Sequence, residues 1–159
     1  MRITKAVVVY TVLLNFAVTS MLTVTAQFLT NGDFIVTIPD VFIAFAISYP
    51  IALAIGFFIP LVRIGRWFTA LFGVKNDTYT HNVAYRCLAT FISSLIYSLI
   101  LSPLSYFINR LIYAPGYPIN QFIIDCLKTI PVMVAVGFVS SLFFDIPAYK
   151  LAHKIDPNF

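Results

Sequence analysis

Early in the chain, polar residues recur at a fixed interval inside a stretch without charge. Thr11, Asn15, Thr19, Thr23 and Gln27 stand four apart between Lys5 and Asp33, and every residue from Ala6 to Gly32 is uncharged. Residues four apart lie on one slowly rotating helix face, and about 20 apolar residues cross a bilayer's hydrocarbon core. The pattern therefore predicts a membrane-spanning helix with a polar ridge. Ser, Thr and Asn are small enough for close helix approach and can hydrogen-bond across helices. The ridge is read first as a packing seam and second as one wall of a polar conduit.

Three further uncharged stretches follow. Val41–Val62 lies between Asp40 and Arg63, bracketed by Pro39 and Pro60 as helix punctuation, and carries a small-residue ridge of its own, Ala44, Ser48, Ala52 and Gly56. Cys87–Asn109 lies between Arg86 and Arg110; Thr90, Ser94, Ser98 and Ser102 form its ridge, and Pro103 predicts a kink. Thr129–Phe144 is uncharged but short, so the last helix is expected to run past Asp145 toward Lys150, with Lys128 snorkelling at its other end. A competing reading makes the first stretch a cleaved signal peptide, because Arg2 and Lys5 precede it and "TVTAQ" offers small residues. Its apolar run exceeds the 7–15 residues usual for such a segment.

Composition agrees with four spans. Of 159 residues 60% are hydrophobic and 10% charged, too few charges to cover a water-soluble surface. The net charge of +4 is spread in small groups beside apolar segments, which implies membrane orientation and not a nucleic-acid footprint. Arg2, Lys5, Arg63, Arg66, Lys75, Arg86, Lys150 and Lys154 all fall on one side of the four spans, so both termini are expected in the cytoplasm and the protein in the cytoplasmic membrane. Phe34, Tyr106, Tyr113, Tyr117 and Phe122 are expected at the outer interface, and Trp67, Phe68, Tyr79 and Tyr149 at the inner one.

Candidate chemistry is sparse. Cys87 and Cys126 are far apart and belong to opposite faces, so neither a zinc site nor a disulfide is expected. His81 and His153 read as solvated side chains, and the chain lacks GxSxG, HExxH, Walker and GxGxxG patterns. Cys126 between Asp125 and Lys128 resembles an activated thiol, but an interfacial Asp125–Lys128 pair explains the same residues. Asp145 near the inner end of a span needs a partner, for which Lys150 or a basic residue of the middle loop is the candidate. No cofactor and no catalytic residue is expected.

The second half echoes the first. "PIALAIGF" from Pro50 parallels "PVMVAVGF" from Pro131, and "IPLVRIGR" from Ile59 parallels "IPAYKLAH" from Ile146, with an offset larger by six residues. The expected fold is an all-α integral membrane four-helix bundle of two tandem helical hairpins. Residues 1–72 form the first unit, 73–82 a cytoplasmic linker and 83–159 the second unit, related by an axis along the membrane normal.

On the Asn15-bearing first helix, the "NGDF" turn and the ends "FFIPLVRIGRW" and "FFDIPAYKLAHKIDP", the chain resembles the domain-of-unknown-function family 2798. The resemblance implies a small bacterial membrane protein with a doubled two-helix unit, and no activity. The long outer segment "NRLIYAPGYPINQ" departs from that pattern. The functional expectation is a non-enzymatic structural or partner-binding component. Its partners would be the lipid bilayer and a second copy or another membrane protein. The alternative is a small transporter or channel element with a polar path between helices one and three.

Overall fold

The computed structural model describes residues 5–30, 38–74, 83–113 and 118–156. The NGDF turn, Phe34, Tyr79, His81, Tyr117 and most of the expected linker lie outside the described residues. Five helices are described: α1 (Lys5–Thr30), α2 (Ile38–Phe58), α3 (Leu61–Leu71), α4 (Val83–Tyr113) and α5 (Ile119–Ile155). The fold is an all-α four-helix bundle, and α1, α2, α4 and α5 are each long and apolar enough to cross a membrane. The chain is thus read as a multi-pass membrane protein.

Helices α1 and α2 pack together, as do α4 and α5, and the hairpins meet chiefly through α1 against α5 and through α4 against α2 and α3. Alternating direction puts the start of α1, the α2–α3 junction, the start of α4 and the end of α5 at one end of the bundle. Lys5, Arg63, Arg66, Arg86, Lys150 and Lys154 all lie there, and it is called the basic end. In α5, Lys128 and Lys150 are 22 residues apart, about 33 Å at 1.5 Å per residue and close to the hydrocarbon thickness.

Lipid outside inverts the usual burial pattern. Large apolar side chains such as Phe42, Phe58 and Phe143 point outward, while Asn15, Thr19, Thr23, Gln27, Ser48, Ser94, Ser98 and Ser102 are buried. A second buried column on α1, Val18, Leu22 and Ala26, runs beside the polar ridge and joins Ala52, Ile55, Leu101 and Met133 in the apolar core. On the outer flank of the first hairpin, Phe16 meets Phe45 and Tyr49 edge-on at ring separations of 5.4 and 5.8 Å.

Two features differ from the sequence expectation. The first is α3, which replaces a simple helix end. Pro60 (φ −76°, ψ 64°) makes an inverse γ-turn in which Leu61 N–H donates to the Ile59 carbonyl at 2.7 Å. The new helix stops in a Schellman motif, with Gly73 at φ +70°, its N–H on Ala70 and the Val74 N–H on Thr69. The second is the supposed outer loop, where Asn109–Tyr113 belong to α4 and Ile119–Gln121 to α5. The prolines follow the expectation: a helix ends at Pro60, and Pro103 and Pro147 lie within continuous helices, as do Pro50 and Pro131.

Two glycines mark close approaches and differ in tightness. A Cβ on Gly56 would lie 2.7 Å from the Asn15 amide nitrogen and 3.0 Å from the Tyr97 hydroxyl. On Gly137 it would make ordinary contact, 3.5 Å from Leu22 and 3.6 Å from Ser94. Gly56→Ala should therefore destabilise by about 1–3 kcal/mol through overpacking. Gly137→Ala should be neutral or stabilising, because Ala gains up to about 1 kcal/mol of helix propensity. Thermal melting of the two variants in the same detergent checks the contrast; equal losses would contradict this packing.

Candidate functional site: a buried polar column

Why the polar ridges face inward follows from their spacing. Hydroxyls off the ridges satisfy themselves on their own helix: Ser20 donates to the Phe16 carbonyl at 2.7 Å, Thr25 to Met21 at 2.8 Å and Ser93 to Ala89 at 2.9 Å. The ridge residues instead point between helices and stack into a column with three levels.

At the basic end, Asp145 of α5 is 3% exposed and meets two helices at once. The Tyr10 hydroxyl of α1 donates to its Oδ1. Arg86 of α4 approaches Oδ2 with Nε at 3.4 Å and Nη2 at 3.3 Å. A buried carboxylate is costly unless paired and hydrogen-bonded, and here both conditions hold. Three helices are thereby tied at one point.

At mid-height, the Asn15 amide donates to the Thr11 carbonyl at 2.8 Å and fills the space that Gly56 leaves open. Tyr97 reaches the same place from α4, its hydroxyl 3.5 Å from the Ala52 carbonyl. Tyr49 spans α2 to α1, its hydroxyl 3.4 Å from the Val12 carbonyl. At the far end, Ser102 and Thr129 join α4 to α5 by a hydroxyl–hydroxyl bond of 3.0 Å. Thr129 also touches the carbonyls of Asp125 and Cys126. Between these levels, the hydroxyls of Thr23, Ser48, Ser94 and Ser98 are buried without a hydrogen-bond partner.

The α4–α5 seam keeps strict step. Arg86 faces Asp145, Ser94 faces Gly137 and Ser102 faces Thr129, each contact eight residues from the next on both helices. Eight is two steps along the i±4 ridge, so three rungs lie along one antiparallel ridge-to-ridge contact.

Of the two partners expected for Asp145, the middle-loop cation is the one it takes: Asp145 pairs with Arg86 and not with Lys150, which is exposed, since five residues onward is about 140° around the helix, away from the carboxylate. Asp125 takes the Gln121 amide at 3.1 Å, one turn earlier, and Lys128 is exposed instead of paired. Ala44, Ser48, Ala52 and Ile55 form the buried face of α2, with Gly56 half-buried beside them. Arg86 is one of the basic residues between the second and third spans from which a partner for Asp145 was expected, whereas Tyr10 and Thr129 were missed as members of the column. A signal existed, since Thr129, Gly137 and Asp145 repeat the eight-residue interval of Arg86, Ser94 and Ser102.

As chemistry, the column offers hydrogen bonding and one neutralised charge pair. Cys87 and Cys126 are free thiols, and Cys126 is buried. Among the described residues no three His, Cys, Asp or Glu side chains gather to hold a metal. Comparison with known proteins finds no family model, no curated protein and no solved structure that matches the chain.

The charge pair should respond asymmetrically to mutation. Arg86→Met alone strands a buried carboxylate and should cost about 3–5 kcal/mol, whereas Arg86→Met with Asp145→Leu should recover most of that loss. Tyr10→Phe removes one charge-assisted bond and should cost about 1.5–3 kcal/mol. Melting temperatures of these variants, of Asp145→Leu alone and of the wild type in one detergent give the comparison; an additive double variant would show that the residues do not act as a pair.

Proposed function

We propose that the chain is a non-enzymatic protein of the cytoplasmic membrane, a structural or partner-binding component whose polar interior holds its two hairpins together. One observation carries this reading: Asn15, Thr19, Thr23, Ser94 and Ser98, which would line any path between α1 and α4, are each 5% exposed or less. Side chains so sealed act on neighbouring helices. Association in lipid relies on close contact and interhelical polar bonds of about 0.6–2 kcal/mol each, and a column supplies several.

The repeated architecture belongs to the same proposal. In the first hairpin Gly56 receives Asn15 of α1; in the second Gly137 receives Ser94 of α4, the residue that matches Asn15 in the ridge. The six residues that put the two echoes out of register then fall in α5 between Phe138 and Ile146. The first hairpin breaks at Pro60, whereas the second runs on and carries Asp145 inward. These correspondences support an internal repeat of the two-helix unit, the architecture that the resemblance to family 2798 implies. Both termini in the cytoplasm is the orientation that the positive charges of the basic end favour.

A second reading, the transporter or channel element, is favoured by the four unpartnered hydroxyls of Thr23, Ser48, Ser94 and Ser98. Unpaired buried hydroxyls are destabilising in a closed seam and are satisfied in a hydrated path.

Cysteines introduced at Asn15 and Thr19 separate the readings. In the sealed bundle they are expected to resist a small aqueous thiol reagent, and Asn15→Leu should lower the melting temperature through lost polar contact and added bulk. Rapid labelling of both positions with unchanged melting would decide for the path. Orientation is tested on exposed sites, because Cys126 is buried: in intact cells an impermeant maleimide should label Lys128→Cys and spare Lys154→Cys. Labelling of both would exclude inside termini.

A further inference from the structure

The bundle has one cation inside and several on its rim. Arg86 is satisfied by Asp145, but among the described residues Arg63 and Arg66 of α3 and Lys150 and Lys154 of α5 are exposed and have no carboxylate partner. Their placement is regular. Helix α3 packs on α4 through buried Gly65, where a Cβ would come within 3.2 Å of Ala89, and through buried Thr69. Arg63 and Arg66 are turned to the other side. In α5, Ala148 and Ala152 are buried and Lys150 and Lys154 are turned outward.

Each pair stands three or four residues apart, which puts its Cβ atoms about 5–6 Å from each other, a spacing that brackets one phosphate. Beside each pair runs an exposed apolar flank: Trp67 and Leu71 on α3, at 62% and 63% exposed, and Leu151 and Ile155 on α5. A free phosphate would use only the cations. A phospholipid would use both the cations and the flank. An uncompensated aromatic exposed to this degree at the end of a membrane bundle fits the interfacial belt of tryptophans and tyrosines.

We infer that the basic end carries two binding sites for anionic phospholipid, with the headgroup phosphate held between Arg63 and Arg66 in one and between Lys150 and Lys154 in the other. Acyl chains lie along the apolar flank of the same helix. Basic residues at a membrane surface attract anionic lipid by an amount equivalent to roughly fivefold per side chain at low salt. Two cations therefore make a local preference large enough to measure. The inference rests on the membrane placement of the bundle but not on which leaflet the basic end faces or on what the polar column does.

The chain has a single tryptophan, and it lies in the α3 site. The protein is reconstituted in bilayers of equal parts phosphatidylglycerol and phosphatidylcholine, with bromine quenchers on the chains of one lipid or the other. Trp67 fluorescence is expected to be quenched severalfold more efficiently by brominated phosphatidylglycerol, and the difference should shrink as salt screens the cations. Arg63→Gln with Arg66→Gln should equalise the two lipids. Arg63→Lys with Arg66→Lys should keep most of the preference, which separates loss of charge from loss of fold. Lys150→Gln with Lys154→Gln should leave Trp67 selective while halving the phosphatidylglycerol retained by the purified protein in native mass spectrometry. Equal quenching by both lipids in the wild type, or a preference that survives the double Gln change, would overturn the α3 site. Unchanged retention in the lysine variant would overturn the α5 site. Abolition of the preference by inorganic phosphate at an ionic strength at which sodium chloride leaves it in place would assign the cations to free phosphate and overturn the lipid reading.

Discussion

Acyl chains are as apolar as leucine, so the hydrophobic effect that assembles a soluble core does not tell one membrane helix which neighbour to choose. Every specific feature of this bundle answers that constraint. The residues that decide contact are small or polar and face inward, from Asn15 against Gly56 to Ser94 against Gly137. The large side chains that would form a core in water, Phe42, Phe58 and Phe143 among them, are left to the lipid. An interior of small side chains allows close backbones. Gly56 is the extreme case, where even one methyl group would collide with the Asn15 amide.

Close contact alone leaves axial register open, because a ridge of alternating small residues can slip by one turn and still pack. The two ends of the α4–α5 seam prevent this. Arg86 finds Asp145 and Ser102 finds Thr129 in only one register, and the two rungs are sixteen residues apart, about 24 Å along the helices. A slip of one turn would strand a charge in a low-dielectric interior and unpair two hydroxyls. A buried ion pair is weak support for stability but effective for choosing between arrangements, since each alternative leaves an unpaired charge. Tyr10 extends the same restraint to α1, and so the pairing of the hairpins is fixed at the basic end by three residues from three helices.

Much of this was legible in the chain, because membrane spans and their buried faces are local patterns. The four-residue interval of Asn15, Thr19, Thr23 and Gln27 marks the buried face of α1, and Ala44, Ser48 and Ala52 that of α2. What was not legible depends on partners distant in sequence. Asp145 calls for a basic partner, but only the fold selects Arg86, 59 residues away, from the cations between the second and third spans. Tyr10 is one aromatic among many until α1 lies beside α5. Helix α3 was missed for a different reason: Pro60 reads as the end of a span, but whether such a proline is spanned or becomes a turn from which a new helix starts depends on the packing around it. Pro147 stands in the matching echo and lies inside an unbroken helix.

That contrast between the two prolines links the fold to the membrane surface. A helix that continues past the hydrocarbon, as α5 does beyond Lys150, carries its basic residues out along its own axis. A helix that breaks at the boundary, as α2 does before Pro60, releases its last segment to pack sideways on a neighbour. The inverse γ-turn at Pro60 and the buried Gly65 against Ala89 make that sideways packing close, so α3 has one face committed to α4 and the rest of its surface free. An 11-residue helix of roughly 16 Å cannot span the hydrocarbon core. With Trp67 one turn on from Arg63 and next to Arg66, its exposed side joins basic and apolar surface, a combination that suits the boundary. The same short proline signal thus yields an unbroken helix in one hairpin and a short helix packed sideways on a neighbour in the other, and the difference comes from what each segment finds to pack against.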